Sequence, residues 1–191
     1  MTTFTIFGNG AMATAIASVV TGGGATVEHI GSNDKDAAVN GDIVVLAVPY
    51  PALEQITAQY AEKLAGKVVL DITNPLNFET FDSLVVPSDS SAAAELADAL
   101  PSSTVLKAFN TNFAATLSSQ TVGDNRTSVL IAGDDDAAKQ NLASAVQAGG
   151  VDAVDVGSLK RARELEAIGF LQLTLAAGEK TQWTTGFTLV R

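Results

Sequence analysis

The chain has 191 residues, 47% of them hydrophobic, and a formal net charge of −10, which supports one substantial core rather than two ordinary domains and argues against nucleic acid as a partner. With no cysteine, disulfide staples and thiolate chemistry are excluded. No run reaches the roughly 18–20 apolar residues of a membrane span, because Gln172 and Glu179 interrupt or close the best late stretch; an extended run starting at Thr3 leaves no room for a signal peptide, so a cytoplasmic protein is expected.

Strand and helix alternate from the start. Residues 3–7 are β-branched and aromatic, 11–20 Ala-rich and helical, and 26–30 extended again, which makes one βαβ unit. Residues 31–41 are too few for another helix and strand, so the edge strand common in larger dinucleotide-binding folds is expected to be missing. A buried strand over 42–48 follows, then a helix over 51–65 that opens on a proline, and a strand over 67–72. Residues 74–87 form a long loop containing Phe78 and Phe81, and loops of such length are usually functional. A helix from Ser91 to Leu100, strands over 104–108, 128–132 and 151–156, and a helix over 135–147 complete the pattern.

The last predicted helix, 159–179, begins with Lys160, Arg161, Arg163, Glu164 and Glu166 and then becomes almost wholly apolar through Ile168, Phe170, Leu171, Leu173 and Leu175. One sheet face is too little to cover it, so a homodimer is expected. The expected fold is therefore α/β: a Rossmann-type, doubly wound, mostly parallel sheet over residues 1–157, with residues 158–191 a helix and tail packed on it and not independent.

Gly8-Asn9-Gly10-Ala11-Met12-Ala13 reads G-x-G-x-x-A between the first strand and the first helix. There the first glycine permits a tight turn, the second lets a pyrophosphate approach the backbone, and the small sixth residue lets helix and strand pack closely. NAD-binding folds commonly place a carboxylate at the end of the second strand. Here Ser32, Asn33 and Lys35 stand there instead and could bind a 2′-phosphate, which favours NADP(H), although Asp34 and Asp36 flank the lysine. Ala47, Val48, Pro49 and Tyr50 end the third strand at the expected switch point and should wall the cofactor. Asn74 and Pro75 follow the fourth strand as further cofactor contacts, with Leu76 and Asn110 as candidate substrate contacts.

Three other features have simpler readings. His29, the only histidine, lies in a strand and is expected to be structural; Asp134, Asp135 and Asp136 suit a helix start rather than a metal; Trp183 and Phe187 suit packing or cover for a planar ring. No metal site is expected, and no catalytic side chain stands out.

F-G-N-G-A-M-A, the G-S-N turn, D-I-V-V-L-A-V-P, D-I-T-N-P-L, K-A-F-N-T and the late D-V-G-S-L-K-R-A-R-E-L-E resemble, in order and over nearly the whole chain, the deazaflavin (coenzyme F420)-dependent NADP oxidoreductase-like family. The resemblance implies a Rossmann domain with a small C-terminal helical part, NADPH on the glycine-rich turn, and hydride transfer to a flavin, deazaflavin or similar planar acceptor without a dedicated side-chain acid. Family members often carry Arg after the serine that ends the second strand, where this chain has Asn33. The alternative expectation is a non-catalytic NADP(H)-binding sensor.

Overall fold

A computed structural model describes residues 2–190. Strand β1 (Thr3–Phe7) leads through helix α1 (Ala11–Gly22) to β2 (Thr26–Ile30), and β3 (Ile43–Leu46), α2 (Ala52–Leu64) and β4 (Val68–Asp71) follow. After the long loop come α3 (Ala92–Ala99), β5 (Thr104–Lys107), α4 (Ala114–Ser119), the short strands β6 (Thr121–Val122) and β7 (Asn125–Arg126), β8 (Ser128–Gly133), α5 (Asp136–Ala148) and β9 (Asp152–Gly157). A 3-10 turn (Leu159–Arg161) feeds the last helix, α6 (Ala162–Ala177).

Seven strands form one sheet in the order β2-β1-β3-β4-β5-β8-β9. All neighbours are parallel except β5 and β8, which run antiparallel. Because β1 pairs with β2 on one side and β3 on the other, strand order reverses at β1, and a crevice opens above the carboxyl ends of these three strands.

The apolar strands explain both layers. Ile43 and Val45 point into a core shared with Ile16 and Val20 of α1 and Leu142 and Val146 of α5. Val44 and Leu46 point the other way, into a core with Leu53 and Leu64 of α2 and Leu96 of α3. This alternation is the period of two that a strand covered on both faces demands.

The segment between Ile30 and Ile43 contains no helix or strand, as its length suggests. It is held by side chains of α2 instead: the Tyr60 hydroxyl donates to the Asp34 carbonyl at 2.9 Å and accepts from the Ala37 amide at 3.3 Å. Lys63 donates to the Asp36 and Ala37 carbonyls and to the Asp36 carboxylate. Asp135 caps α5 by accepting from the Ala138 amide at 2.8 Å, Asp134 accepts from the Leu159 amide at 3.0 Å, and Asp136 pairs with Lys139 at 3.0 Å, so all three aspartates are used by the fold.

Among the described residues no helix is long and apolar enough to cross a membrane, and no cluster of three or more His, Cys, Asp or Glu residues could hold a metal. The structure adds α4 and the β6–β7 hairpin, which lack a periodic apolar pattern in the sequence, and it begins the last helix with a 3-10 turn.

Candidate functional site

The glycine-rich turn is built by two glycines with different reasons. Gly8 has φ of 108°, and a β-carbon there would come within 2.4 Å of the Ala47 carbonyl oxygen, so the fold itself requires glycine. Its amide donates to the Ile30 carbonyl at 2.8 Å, and its carbonyl accepts from His29 Nδ1 at 3.0 Å. The lone histidine thus braces the turn. At Gly10, by contrast, a β-carbon would meet nothing within 4 Å. Gly10 is also the N-cap of α1, with no side chain capping the helix and no acidic residue in its first turn. An open space before an uncapped, unopposed helix N-terminus suits an anion held by backbone N–H groups, so the arrangement fits a pyrophosphate.

Two cavities meet at this point. One, of about 570 Å³, is lined by Gly8, Asn9, Ser32, Asp34 and Lys35 together with Gln55, Gln59 and Tyr60 of α2. The other, of about 880 Å³, takes in Ala11, Met12, Tyr50, Asn74 and Asn110, and its far wall is made by Phe78, Phe109, Phe113, Leu173 and Trp183. Gly10, Ala47, Val48 and Pro49 line both, so the crevice is continuous across the switch point. Apart from these two, a third cavity of about 310 Å³ lies between α2 and α3 beside Glu54 and Glu95.

Three sequence candidates are not on these walls. Asn33 is exposed on its loop and does not line either cavity. Pro75 and Leu76 are buried: the Pro75 carbonyl accepts from the Val85 amide at 2.7 Å, and Leu76 makes an antiparallel bridge with Leu84. The loop folds on itself there, turning both residues inward. Trp183 stacks at a tilt on Phe113, with ring centroids 5.0 Å apart, so it both packs and covers the larger cavity.

The floor of that cavity is polar and rigid. Asn74 donates to the Asn110 carbonyl at 2.8 Å; Asn110 returns a bond to the Asn74 side-chain oxygen at 2.9 Å and gives another to the Leu165 carbonyl of α6 at 2.8 Å. Phe109 holds φ of 62°, a left-handed conformation costly for an aromatic residue and the kind of strain found beside ligands. Thr73 Oγ1, Asn110 Oδ1 and Asn112 Oδ1 are buried with no hydrogen-bond partner, although all three residues line the cavity. Unpaired buried polar atoms are rare and costly, and these three are closed off behind the cavity wall rather than exposed on it.

Beneath this floor lies a feature that sequence reasoning missed. Lys107 is fully buried and gives hydrogen bonds to Asp71 Oδ2 (2.8 Å), the Thr73 carbonyl (2.6 Å) and Glu166 Oε1 (2.8 Å). Glu166 also accepts from the Ala92 and Ala93 amides at the start of α3. Burial pushes the Glu166 carboxyl above the usual range, and the Lys107 charge opposes that shift. The only earlier signal was a charge inside an otherwise apolar strand end.

Tyr50 is the one ionisable side chain among the described residues lining the larger cavity. Its hydroxyl donates to Glu95, and burial, with help from that hydrogen bond, pushes its pKa up to about 12. The proton therefore stays with Tyr50 throughout the neutral range.

The doubly wound sheet, the glycine turn with its open helix N-terminus and the crevice at the switch point define a Rossmann-type dinucleotide-binding protein. The model of the family "NADP oxidoreductase coenzyme F420-dependent" matches residues 24–75. The F420-dependent NADP reductase of Methanocaldococcus jannaschii is 35% identical over 167 residues, covering 84% of this chain and 74% of that protein. This chain belongs to that family. It is also 32% identical over 178 residues to the metalloreductase STEAP3 of Rattus norvegicus, covering 85% of this chain but only 35% of that longer protein. In fold, a crystal structure from Arthrobacter sp. FB24 superposes with a TM-score of 0.86 at 22% identity over 100% of both chains. The hypothetical protein SMa0349 from Sinorhizobium meliloti reaches 0.71 at 27% identity, covering 83% of this chain and 86% of its own.

Proposed function

We propose that this protein transfers hydride between NADPH and coenzyme F420 or a closely similar planar acceptor, in a crevice whose two halves divide the work. The smaller cavity takes the adenosine end on Asn9, Ser32 and Lys35; the turn at Gly8 and Gly10 takes the pyrophosphate; the larger cavity takes the nicotinamide and, against its aromatic wall, the acceptor ring. Ala11, Met12, Ala47, Val48, Pro49 and Tyr50 wall the cofactor, and Asn74 and Asn110 set the orientation of the rings.

The observation that carries this reading is the larger cavity itself. It is continuous with the glycine turn, it has aromatic and apolar walls, and its floor is the mutually hydrogen-bonded pair Asn74 and Asn110. Hydride is supplied by the dinucleotide; the chain positions two rings and excludes water. With Tyr50 held neutral and no other ionisable group among the described residues on the wall, the hydride passes directly between the rings, and the proton that accompanies it into the reduced acceptor comes from solvent. The assembly in this reading is a homodimer in the cytoplasm, with residues 158–191 belonging to the same domain as residues 1–157.

The test is turnover. Purified protein with NADPH should reduce F420, followed by loss of the deazaflavin absorbance. If F420, flavins and ferric acceptors all leave NADPH unoxidised although NADPH binds, the chain is a sensor and not a reductase.

A further inference from the structure

The smaller cavity carries two charges among the described residues that line it, Asp34 and Lys35. They cancel. A 2′-phosphate is usually met by cations with geometry to match it, yet Asn33 stands off the wall and Lys63 is committed to Asp36 and to the carbonyls of Asp36 and Ala37. Lys35 is thus the one cation offered to the phosphate, with a carboxylate as its neighbour.

That carboxylate is not adrift in the loop. Asp34 Oδ2 accepts from the Gly31 amide at 2.7 Å, and the Asp34 amide donates back to the Gly31 carbonyl at 3.1 Å. The turn is further tied by the Tyr60 hydroxyl on the Asp34 carbonyl. A β-carbon built on Gly31 would lie 2.9 Å from Asn9 Nδ2 and 3.2 Å from Asp34 Oδ2, so the carboxylate and the glycine-rich turn converge over the end of β2. Asp34 Oδ1 has no hydrogen bond among the described residues. A fixed carboxylate with one free oxygen at the end of the second strand is what dinucleotide-binding folds use to accept a ribose 2′-hydroxyl. The sequence spacing hides it, because the residues directly after the strand are Gly31 and Ser32, and the side chain reaches back from the far side of the turn.

We infer that Asp34 makes this a dual-cofactor site: its free oxygen accepts the ribose 2′-hydroxyl of NADH, and its charge weakens NADPH, so that the two dinucleotides bind with comparable affinity. The inference rests on the reading of the smaller cavity as the adenosine site. Specificity here is a difference between one attraction and one repulsion acting at the same atom. The loop is solvent-exposed, so screening keeps each effect moderate.

The measurement is the dissociation constant of NADPH and of NADH, by quenching of protein fluorescence or by calorimetry, for the wild type and for Asp34→Asn. The amide keeps the shape and can still accept from the Gly31 amide, so the turn is preserved. The wild type is expected to bind both cofactors within about tenfold of each other. Asp34→Asn should tighten NADPH and weaken NADH, each by about three- to tenfold, and the NADPH gain should shrink as salt is added. Wild-type binding of both cofactors with no opposed shift in the variant overturns the role of Asp34 and leaves the adenosine site standing. A wild type that binds NADPH but takes NADH more than about a thousandfold more weakly also overturns it. Failure to bind either dinucleotide overturns the adenosine site and this inference together.

Discussion

Gly169 of α6 passes so close to Asn74 that a β-carbon there would lie 2.2 Å from the Asn74 side-chain oxygen and 2.8 Å from the Asn110 carbonyl. The last helix is therefore part of the floor on which the larger cavity rests, because the Asn74–Asn110 pair is anchored to the Leu165 carbonyl one turn earlier. Gly169→Ala should force the pair apart, with a stability loss of about 1–3 kcal/mol, as for other overpacked sites. Turnover should fall while NADPH affinity, governed by the adenosine half, stays within about threefold. Thermal unfolding and steady-state kinetics check both parts; unchanged kcat in a folded variant would show that the floor does not orient the reacting rings.

The buried triad below that floor makes a sharper claim about charge. Lys107 is the cation between Asp71 and Glu166, and all three side chains are within about 1% of full burial. Lys107→Met leaves two carboxylates facing each other without a counter-charge, and removal of one partner from a buried pair costs about 3–5 kcal/mol. The cost should depend on pH. The Glu166 carboxyl already sits above its ordinary value, so the folded state holds the proton better than the unfolded state does. Between the unfolded and folded values the folded state binds more protons, and stability falls as pH rises. In the variant this fall should continue to higher pH, because losing Lys107 raises Glu166 further. Urea midpoints should therefore show a smaller deficit at mildly acidic than at mildly alkaline pH, and Glu166→Gln added to Lys107→Met should recover part of the loss. A deficit independent of pH would mean that Glu166 stays charged without its partner.

What could be read in the sequence, and what could not, follows the range of the interactions. The βαβ unit, the missing edge strand and the reversal of strand order at β1 rest on short-range periodicity and on loop length, and all are present. The glycine turn was legible because Gly8 and Gly10 stand in one short stretch. The triad was not, since Lys107 and Glu166 are 59 residues apart, and Glu166 sits among charged neighbours that look like a solvated helix start. Asp34 was visible only as a residue that blunts Lys35; the turn that carries it is also held by Tyr60, 26 residues on, which no local pattern announces. Pro75 and Leu76 were expected at the crevice on strand-end grounds alone, and the bridge from Leu76 to Leu84 could not be read from a loop without period.

Gly10 allows a clean separation of folding from binding. Apart from its immediate chain neighbours, nothing in the protein lies within 4 Å of a β-carbon at this position, and its backbone is extended, with φ of −77°. Gly10→Val should therefore fold with a melting temperature close to that of the wild type, while its branched side chain fills the space before the α1 N-terminus. Loss of dinucleotide affinity of at least about a hundredfold is expected, the scale of several lost charge-assisted hydrogen bonds. Near-normal NADPH binding by this variant would move the pyrophosphate away from the turn.

The proposed homodimer would rest on apolar surface that the chain does not cover. Leu171 on α6 is 51% exposed, and Phe78 at 56% and Trp183 at 52% flank the larger cavity. Leu173, two residues on, lines that cavity, and two steps along a helix turn a side chain through about 200°, so Leu171 faces away from it. A symmetric pairing through this helix would bury each patch against its twin. Leu171→Glu should then yield monomers, because it places an unpaired charge in the interface, and turnover should fall with dimer content only if the partner helps to close the acceptor pocket. Light scattering at micromolar concentration decides the first point, and activity measured across a dilution series decides the second. A wild type that scatters as a monomer would leave α6 half covered by its own chain and would remove the partner from any account of the acceptor pocket.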